Sequence, residues 1–336
     1  MPSSLVEQIL SGQRRAIARL ITHLENRHPE AQRILDELYP HTGRAHLIGV
    51  TGAPGTGKSS LVNKLAKAYR SRKKTVAIIA VDPTSPFSGG AILGDRIRMR
   101  ELSGDSGVYI RSMASRGNLG GLAAAVDDAI KVLDAAGFDV ILIETVGAGQ
   151  SEVEIAKTAQ TVIVVEAPGL GDDVQAIKAG ILEIADIFVV NKADRQGAER
   201  AVAALRAMLE LGHPSAHHVM HHGQLLRVEG VAPNDQREIA WEIPVLKTIA
   251  IKGEGIEPVV EAIGQHLNHL KESGELTDRN RARLLDELEH SLQRELMQQL
   301  LSRLPPGYLA KIIDDLANRN LSPYSATQEI LKFGKT

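Results

Sequence analysis

Between residues 45 and 250 the apolar positions fall into short unbroken runs, separated by longer stretches in which they recur at helical spacing. The runs cover 46–50, 75–81, 139–143, 161–165, 187–190 and 243–246. Val76-Ala77-Ile78-Ile79-Ala80-Val81 does not alternate between apolar and polar, so both of its faces are expected to be buried. Strands of that kind belong to parallel sheets covered by helices on both sides. The stretches 58–72, 119–136, 172–185, 195–211 and 254–272 supply the helices, and the expected fold class is a doubly wound, mostly parallel α/β sheet.

Helical spacing also dominates both ends. Leu5, Ile9, Ile17, Leu20, Leu24, Ile34, Leu35 and Leu38 mark residues 3–40 as helical, with a break near 26–29 and a stop at Pro40 and Gly43. After about residue 273 no strand pattern returns. Leu284, Leu285, Leu288, Leu292, Leu296, Leu300, Leu301 and Leu304 trace one long amphipathic helix ended by Pro305-Pro306-Gly307, and two shorter helices follow near 308–318 and 322–333. The expected organisation is an N-terminal helical segment (1–43), an α/β domain (44–272) and a C-terminal helical arm (273–336). A tail this rich in leucine needs a surface to cover it, either its own domain or a second copy of the chain.

Composition narrows the chemistry. The formal net charge of −2 lacks the basic excess of a nucleic-acid-binding surface. There is no cysteine, which excludes disulfides, thiolate metal sites and cysteine nucleophiles. Met1-Pro2-Ser3-Ser4-Leu5 lacks the basic-then-apolar layout of a secretory signal, and no stretch approaches the ~18 apolar residues needed to span a bilayer. The expected location is cytoplasmic.

Gly52-Ala53-Pro54-Gly55-Thr56-Gly57-Lys58-Ser59 fits G-x4-G-K-[ST], follows an apolar strand and opens a helix that continues through Ser60. Glycines let successive backbone N–H groups curl round a phosphate at a helix N-terminus, where anions are favoured. Lys58 is expected at the β- and γ-phosphates and the Ser59 hydroxyl at Mg²⁺. Three carboxylates are candidates to complete the metal site. Glu144 ends the run 139–143 and begins Glu144-Thr145-Val146-Gly147, a D-x-x-G-like switch in which the Gly147 N–H is expected at the γ-phosphate. Asp82 ends the run 75–81, and Asp95 lies in a glycine-rich loop. Strand carboxyl ends in an open α/β sheet face the ligand crevice, which favours Asp82 and Glu144.

Asn191-Lys192-Ala193-Asp194 follows a strand and precedes a helix. Asp194 is suited to accept from guanine N1–H and the 2-amino group. Adenine lacks those donors and would leave a carboxylate unpaired, a strong penalty. Lys192 is expected to lay its stem along the base, and Asn191 to tie its loop to the phosphate loop.

These segments together resemble one family, the methylmalonyl-CoA mutase-associated GTPases, MeaB/ArgK, over nearly the whole chain. Beside the two GTPase motifs, the resemblance rests on residues 81–87, 89–100, 144–152 and 168–186. It implies a P-loop GTPase with GTP or GDP and Mg²⁺ as ligands, slow hydrolysis that a partner stimulates, and homodimers. It also implies association with an adenosylcobalamin-dependent methylmalonyl-CoA mutase, whose cofactor loading such proteins gate and which they protect from inactivation. The family's phosphate and metal roles fall on Lys58, Ser59, Asp82, Asp95 and Glu144, and its base roles on Asn191, Lys192 and Asp194. Residues 169–175 resemble a further switch that signals nucleotide state. One departure is Thr248-Ile249-Ala250-Ile251, where the family usually has Ser-Ala. The N–H groups of Ile249 and Ala250 are expected at guanine O6, with Ile251 beside them.

Several features leave alternatives open. Gln150 is a candidate water-positioner or a helix cap, and Arg96, Arg98 or Arg100 a candidate arginine finger or a solvated loop. His213, His217, His218, His221 and His222 include the i,i+4 pairs 217/221 and 218/222, a spacing that also suits a metal-delivery GTPase. A kinase acting on a transport protein would need the same phosphate loop.

Overall fold

The computed structural model describes residues 4–83, 100–102, 104–115, 121–145, 151–169, 183–211 and 240–333. Helices α1 (Leu5–Leu10), α2 (Arg14–Glu25) and α3 (Pro29–Leu38) come first, so the expected break near 26–29 is joined by a second one at residues 11–13. The α/β part then runs β1 (His46–Thr51), α4 (Lys58–Ser71), β2 (Val76–Pro83), β3 (Val108–Ser115), α5 (Gly121–Ala135), β4 (Val140–Thr145), α6 (Ser151–Thr158), β5 (Thr161–Glu166), β6 (Ile187–Asn191), α7 (Ala198–Leu211), β7 (Val245–Thr248) and α8 (Ile256–Ser273). Last come α9 (Glu275–Ser302), α10 (Tyr308–Ala317) and α11 (Pro323–Lys332).

All seven strands are parallel, in the order β3-β2-β4-β1-β5-β6-β7. Six of them coincide with the apolar runs, β7 two residues later than its pattern. The edge strand β3 is a correction. Arg111 and Ser112 interrupt its apolar pattern, and the polarity is tolerated because Arg111 forms an ion pair with Glu25 and a hydrogen bond to Thr22, both on α2. The expected helix 172–185 lies almost wholly outside the described residues.

Each strand divides its side chains between two cores, as burial on both faces requires. On one face Leu47, Ala77, Ile79 and Ile141 pack with α5 and with Ile9, Ile17, Leu20, Ile21 and Leu35 of the first three helices. On the other, Ile48, Val50, Ile78, Leu142 and Ile163 pack with α4 and α8. Gly49 lets α6 approach β1, since a Cβ there would lie 2.8 Å from Ile155 Cγ1. Asp134 of α5 accepts from the N–H groups of Arg44 (3.1 Å) and Ala45 (2.9 Å) and so fixes the entry into β1.

The chain divides into two compact units at residues 280/281. In the second, Tyr308 packs edge-on against Phe333 at 5.0 Å, and Ile312 and Ala326 are buried. Along α9, Leu284, Leu285, Leu288, Leu292 and Leu296 are exposed. No helix among the described residues is long and apolar enough to cross a membrane.

The amino ends of the central strands meet in a buried polar network. The Thr161 hydroxyl sits 2.9 Å from both His46 Nε2 and His266 Nδ1. Asp186, just ahead of β6, accepts from Val162 N–H at 2.8 Å and pairs with Arg279. Burial, reinforced by His266 and Lys271, lowers the His46 pKa to about 3. Burial alone would raise Asp186, but His266 and the Arg279 guanidinium bring it to about 2. Below about pH 6.5 the unfolded chain therefore binds a proton at His46 that the folded one refuses. Stability is expected to fall by about 1.4 kcal/mol per pH unit from this site as pH drops from 6.5 toward 3, with Asp186 adding to the loss below about 3.8. Urea denaturation between pH 7 and 5 checks this: His46→Gln should show a shallower pH dependence than wild type, and equal slopes would refute the assignment.

Candidate functional site

With every strand parallel, their carboxyl ends open onto one rim, and β1 lies where the chain crosses from one half of the sheet to the other. There residues 52–57 join β1 to α4. Gly52 has φ 135°, and a Cβ on it would lie 2.1 Å from the Val165 carbonyl oxygen of β5. Gly57, with φ 96°, forms the N-cap of α4; no side chain caps that helix and no acidic residue lies in its first turn. The amides of the first turn, which have no acceptor within the helix, thus meet the loop with the positive end of the helix dipole behind them. The Lys58 ammonium folds back over the loop, donating to Gly52 O (2.7 Å) and Ala53 O (3.0 Å).

Across the sheet, the buried Ser59 hydroxyl donates to Glu144 Oε1 at 2.6 Å. Glu144 is the penultimate residue of β4, beside β1. The hydroxyls of Thr51 and Thr145, the last residues of the same two strands, lie 3.1 Å apart in a buried contact. Sequence reasoning passed over this threonine pair; the available signal was a hydroxyl residue closing an otherwise apolar run.

The second half of the rim comes from β6 and β7. Asn191 ends β6 and is buried. Its Nδ2 donates to Thr56 O at 2.8 Å, while Oδ1 accepts from Thr248 Oγ1 (3.1 Å) and Ala250 N–H (3.0 Å). Lys192 adopts φ 57°, an uncommon conformation for a side-chain-bearing residue, and donates to Gly55 O at 2.5 Å. Ala193 N–H donates to Thr248 O at 3.0 Å. Asp194 stands exposed at the rim, with Lys252 Nζ 3.9 Å from Oδ2. Lys252 is a neighbour that the motif did not foresee.

The structure therefore brings together the phosphate loop with Lys58 and Ser59, Glu144, and the base loop with Asn191, Lys192, Asp194, Ile249, Ala250 and Ile251. Of the two amides expected at a guanine carbonyl, Ile249 N–H donates to Glu254 O (3.0 Å) and Ala250 N–H to Asn191. Ile251 is exposed. The backbone of Asp82 pairs with Ala114 near the end of β2, and Arg100 opens a single 3-10 turn. Asp95, Arg96, Arg98, Gly147, Gln150, residues 170–175 and the five histidines of 213–222 lie outside the described residues.

Removing the Asn191 side chain would strand two main-chain groups and a hydroxyl. Asn191→Ala is expected to cost at least about 2 kcal/mol in urea denaturation. A loss below about 1 kcal/mol would mean that the two loops do not depend on this bridge.

Comparison with known proteins agrees with this geometry. The family described as methylmalonyl Co-A mutase-associated GTPase MeaB matches residues 17–304. A chain from Pyrococcus abyssi is 46% identical over 332 residues, spanning 99% of this chain and 96% of its own. The GTPase ArgK of Escherichia coli is 32% identical over 336 residues, spanning 98% and 96%. Among solved structures, that of a LAO/AO transport system kinase superposes with a TM-score of 0.66 at 27% identity, covering 99% of this chain and 97% of the other. With a family match over most of its length and a phosphate loop and base loop joined on one rim, the chain belongs to the methylmalonyl-CoA mutase-associated P-loop GTPases of the MeaB/ArgK family.

Proposed function

We propose that this chain binds and hydrolyses GTP at the rim formed by β1, β4, β6 and β7, and uses the nucleotide cycle as a chaperone of methylmalonyl-CoA mutase. In this role it gates adenosylcobalamin loading and protects the mutase from inactivation. The observation that carries the nucleotide part is the Asn191 side chain, which ties the phosphate loop to the base loop through Thr56 O and Ala250 N–H. The mutase part rests on the family match and on residues 144–152 and 168–186.

In this reading residues 52–60 cradle the phosphates, and Lys58 exchanges its hold on the Gly52 and Ala53 carbonyls for the β- and γ-phosphates. The Ser59–Glu144 contact offers hard oxygen donors of the kind Mg²⁺ selects, and Asp82 and Asp95 are proposed as further members of that set. Mg²⁺, when bound there, would neutralise charge on the phosphate oxygens. Lys58 and the Gly147 N–H would stabilise charge on the γ-phosphate as water attacks. Asp194 would read the guanine edge, and Lys192 would flank the base. Guanine O6 would be met on the side of Ile249, Ala250 and Ile251.

A second reading follows from the superposable structure, named as a transport system kinase. The same cradle would hold a nucleotide whose phosphate passes to a protein acceptor. Calorimetry separates the two. Wild type should bind GDP far more tightly than ADP, and Asp194→Asn should weaken GDP by about two orders of magnitude. Ser59→Ala and Glu144→Gln should mainly remove the Mg²⁺ dependence. Comparable ADP binding would overturn the guanine assignment and favour the kinase.

The exposed leucines of α9 are proposed as the contact between two copies of the chain. Leu288, Leu292 and Leu296 recur every four residues on one stripe and are each more than half exposed. Light scattering should give a dimer for wild type and a monomer for Leu292→Glu, with GDP binding retained. A wild-type monomer would remove the arm from this role.

A further inference from the structure

The loops that follow β6 and β7 face the base together, and one charged side chain on them has no role in the chemistry above. Ala193 N–H donates to Thr248 O at 3.0 Å, and Asn191 Oδ1 accepts from Ala250 N–H at 3.0 Å, so the two loops are clamped side by side. Beyond that clamp the second loop turns back on itself. Lys252 N–H and Gly253 N–H both donate to Ile249 O, at 2.9 and 3.0 Å, and Ile249 N–H donates to Glu254 O at 3.0 Å. Gly253, at φ 81°, takes the left-handed conformation that closes the turn. These contacts fix the backbone of Lys252 beside Asp194.

The separation of the two side chains carries the argument. Lys252 Nζ lies 3.9 Å from Asp194 Oδ2, beyond the roughly 2.7–3.2 Å of an N–H···O hydrogen bond. The ammonium thus supplies charge without occupying the carboxylate lone pairs that a base edge would use. The neighbouring lysines are committed elsewhere: Lys192 donates to Gly55 O, and Lys247 to Glu199 Oε1 at 2.6 Å. With Lys252 54% and Asp194 40% exposed, water screens the pair, and by itself it adds little to stability. A guanine seated on the Asp194 edge changes the balance. It strips water from the carboxylate, while N1–H and the 2-amino group, both uncharged, offset only part of the lost hydration. In those drier surroundings the same ammonium at the same distance is felt more strongly.

We propose that Lys252 is a positioning residue for guanine, supplying the counter-charge of the Asp194 carboxylate when the base covers it. The inference rests on the guanine-reading role proposed above for Asp194. Lys252 acts through that carboxylate, so its contribution is confined to ligands that pair with it. Adenine turns a lone pair at N1 toward Asp194 and has no 2-amino group. It therefore does not displace water from that edge and draws no benefit from the lysine. A ligand with phosphates and no base leaves Asp194 in water altogether. This dependence on the base separates a counter-charge for Asp194 from a general attraction of the basic rim for phosphate. What matters is the charge at the tip of the turn, so arginine should serve there and glutamine should not.

Calorimetric titration of the full chain with GDP, ADP and inorganic pyrophosphate tests this. Lys252→Gln should bind GDP about five- to tenfold more weakly than wild type, and Lys252→Arg within about twofold of it. Affinity for ADP and for pyrophosphate should not change in Lys252→Gln. In an Asp194→Asn background, Lys252→Gln should cost nothing further, because the charge it balances is gone. Unchanged GDP binding in Lys252→Gln overturns the proposal. An equal loss for pyrophosphate overturns it too, making Lys252 an attractor of phosphate, and an undiminished loss in the Asp194→Asn background would make it a support of the turn alone. The guanine reading is judged on other samples. Wild type that binds GDP no more tightly than ADP overturns both, whereas a GDP preference that depends on Asp194 and not on Lys252 overturns this proposal only.

Discussion

One carboxamide joins the two halves of the site. Asn191 donates to the phosphate loop at Thr56 O and accepts from the base loop at Ala250 N–H and the Thr248 hydroxyl. An aspartate would meet the Thr56 carbonyl with a second acceptor, and an alanine would leave three polar groups unmatched in a buried place. The phosphate loop turns on glycines at positive φ, and the base loop is a tight turn closed by the Ile249–Glu254 bridge. Their relative position is set by the strands beneath them, by this side chain and by Lys192, whose ammonium donates to Gly55 O at 2.5 Å. The close approach of Gly57 belongs to the same constraint, since a Cβ there would lie 2.4 Å from Asn191 Nδ2.

The frame beneath those loops is stiff because its strands are buried on both faces. Alternate residues of β1 feed two separate cores, and the next strands do the same in register. A shift of one strand would expose apolar surface on both sides at once. Residues at strand carboxyl ends (Thr51, Thr145, Asn191, Thr248) inherit that fixed spacing, which is how side chains from distant parts of the sequence meet within hydrogen-bond distance.

Most of this frame was legible in the residue pattern, because two-faced burial writes itself as unbroken apolar runs. The phosphate and base motifs were legible for a different reason: backbone approach to a ligand demands glycine at set places, and guanine selection demands a carboxylate. What escaped was chemistry made by packing alone. Strand β3 is hidden because Arg111 obtains its partner from a helix some 86 residues earlier in the chain. The Thr51–Thr145 contact and the Lys252–Asp194 pair have no local signature, since each depends on strand neighbours that a linear reading does not supply. The network of His46, Thr161, Asp186 and His266 was invisible for the same reason, being drawn from four separate elements.

The two ends of the sheet are closed by different kinds of polar contact, and this difference bears on how the molecule works. At the carboxyl rim most partners are main-chain carbonyls and amides of loops (Gly52, Ala53, Gly55, Thr56 and Ala250) that a ligand's own groups can replace. Exchanging one such partner for a phosphate oxygen or a base edge leaves no buried charge behind. At the amino end the anchor is a buried carboxylate, and removing any of its partners does leave one. The sheet is thus held hard where its strands begin and adaptably where they end.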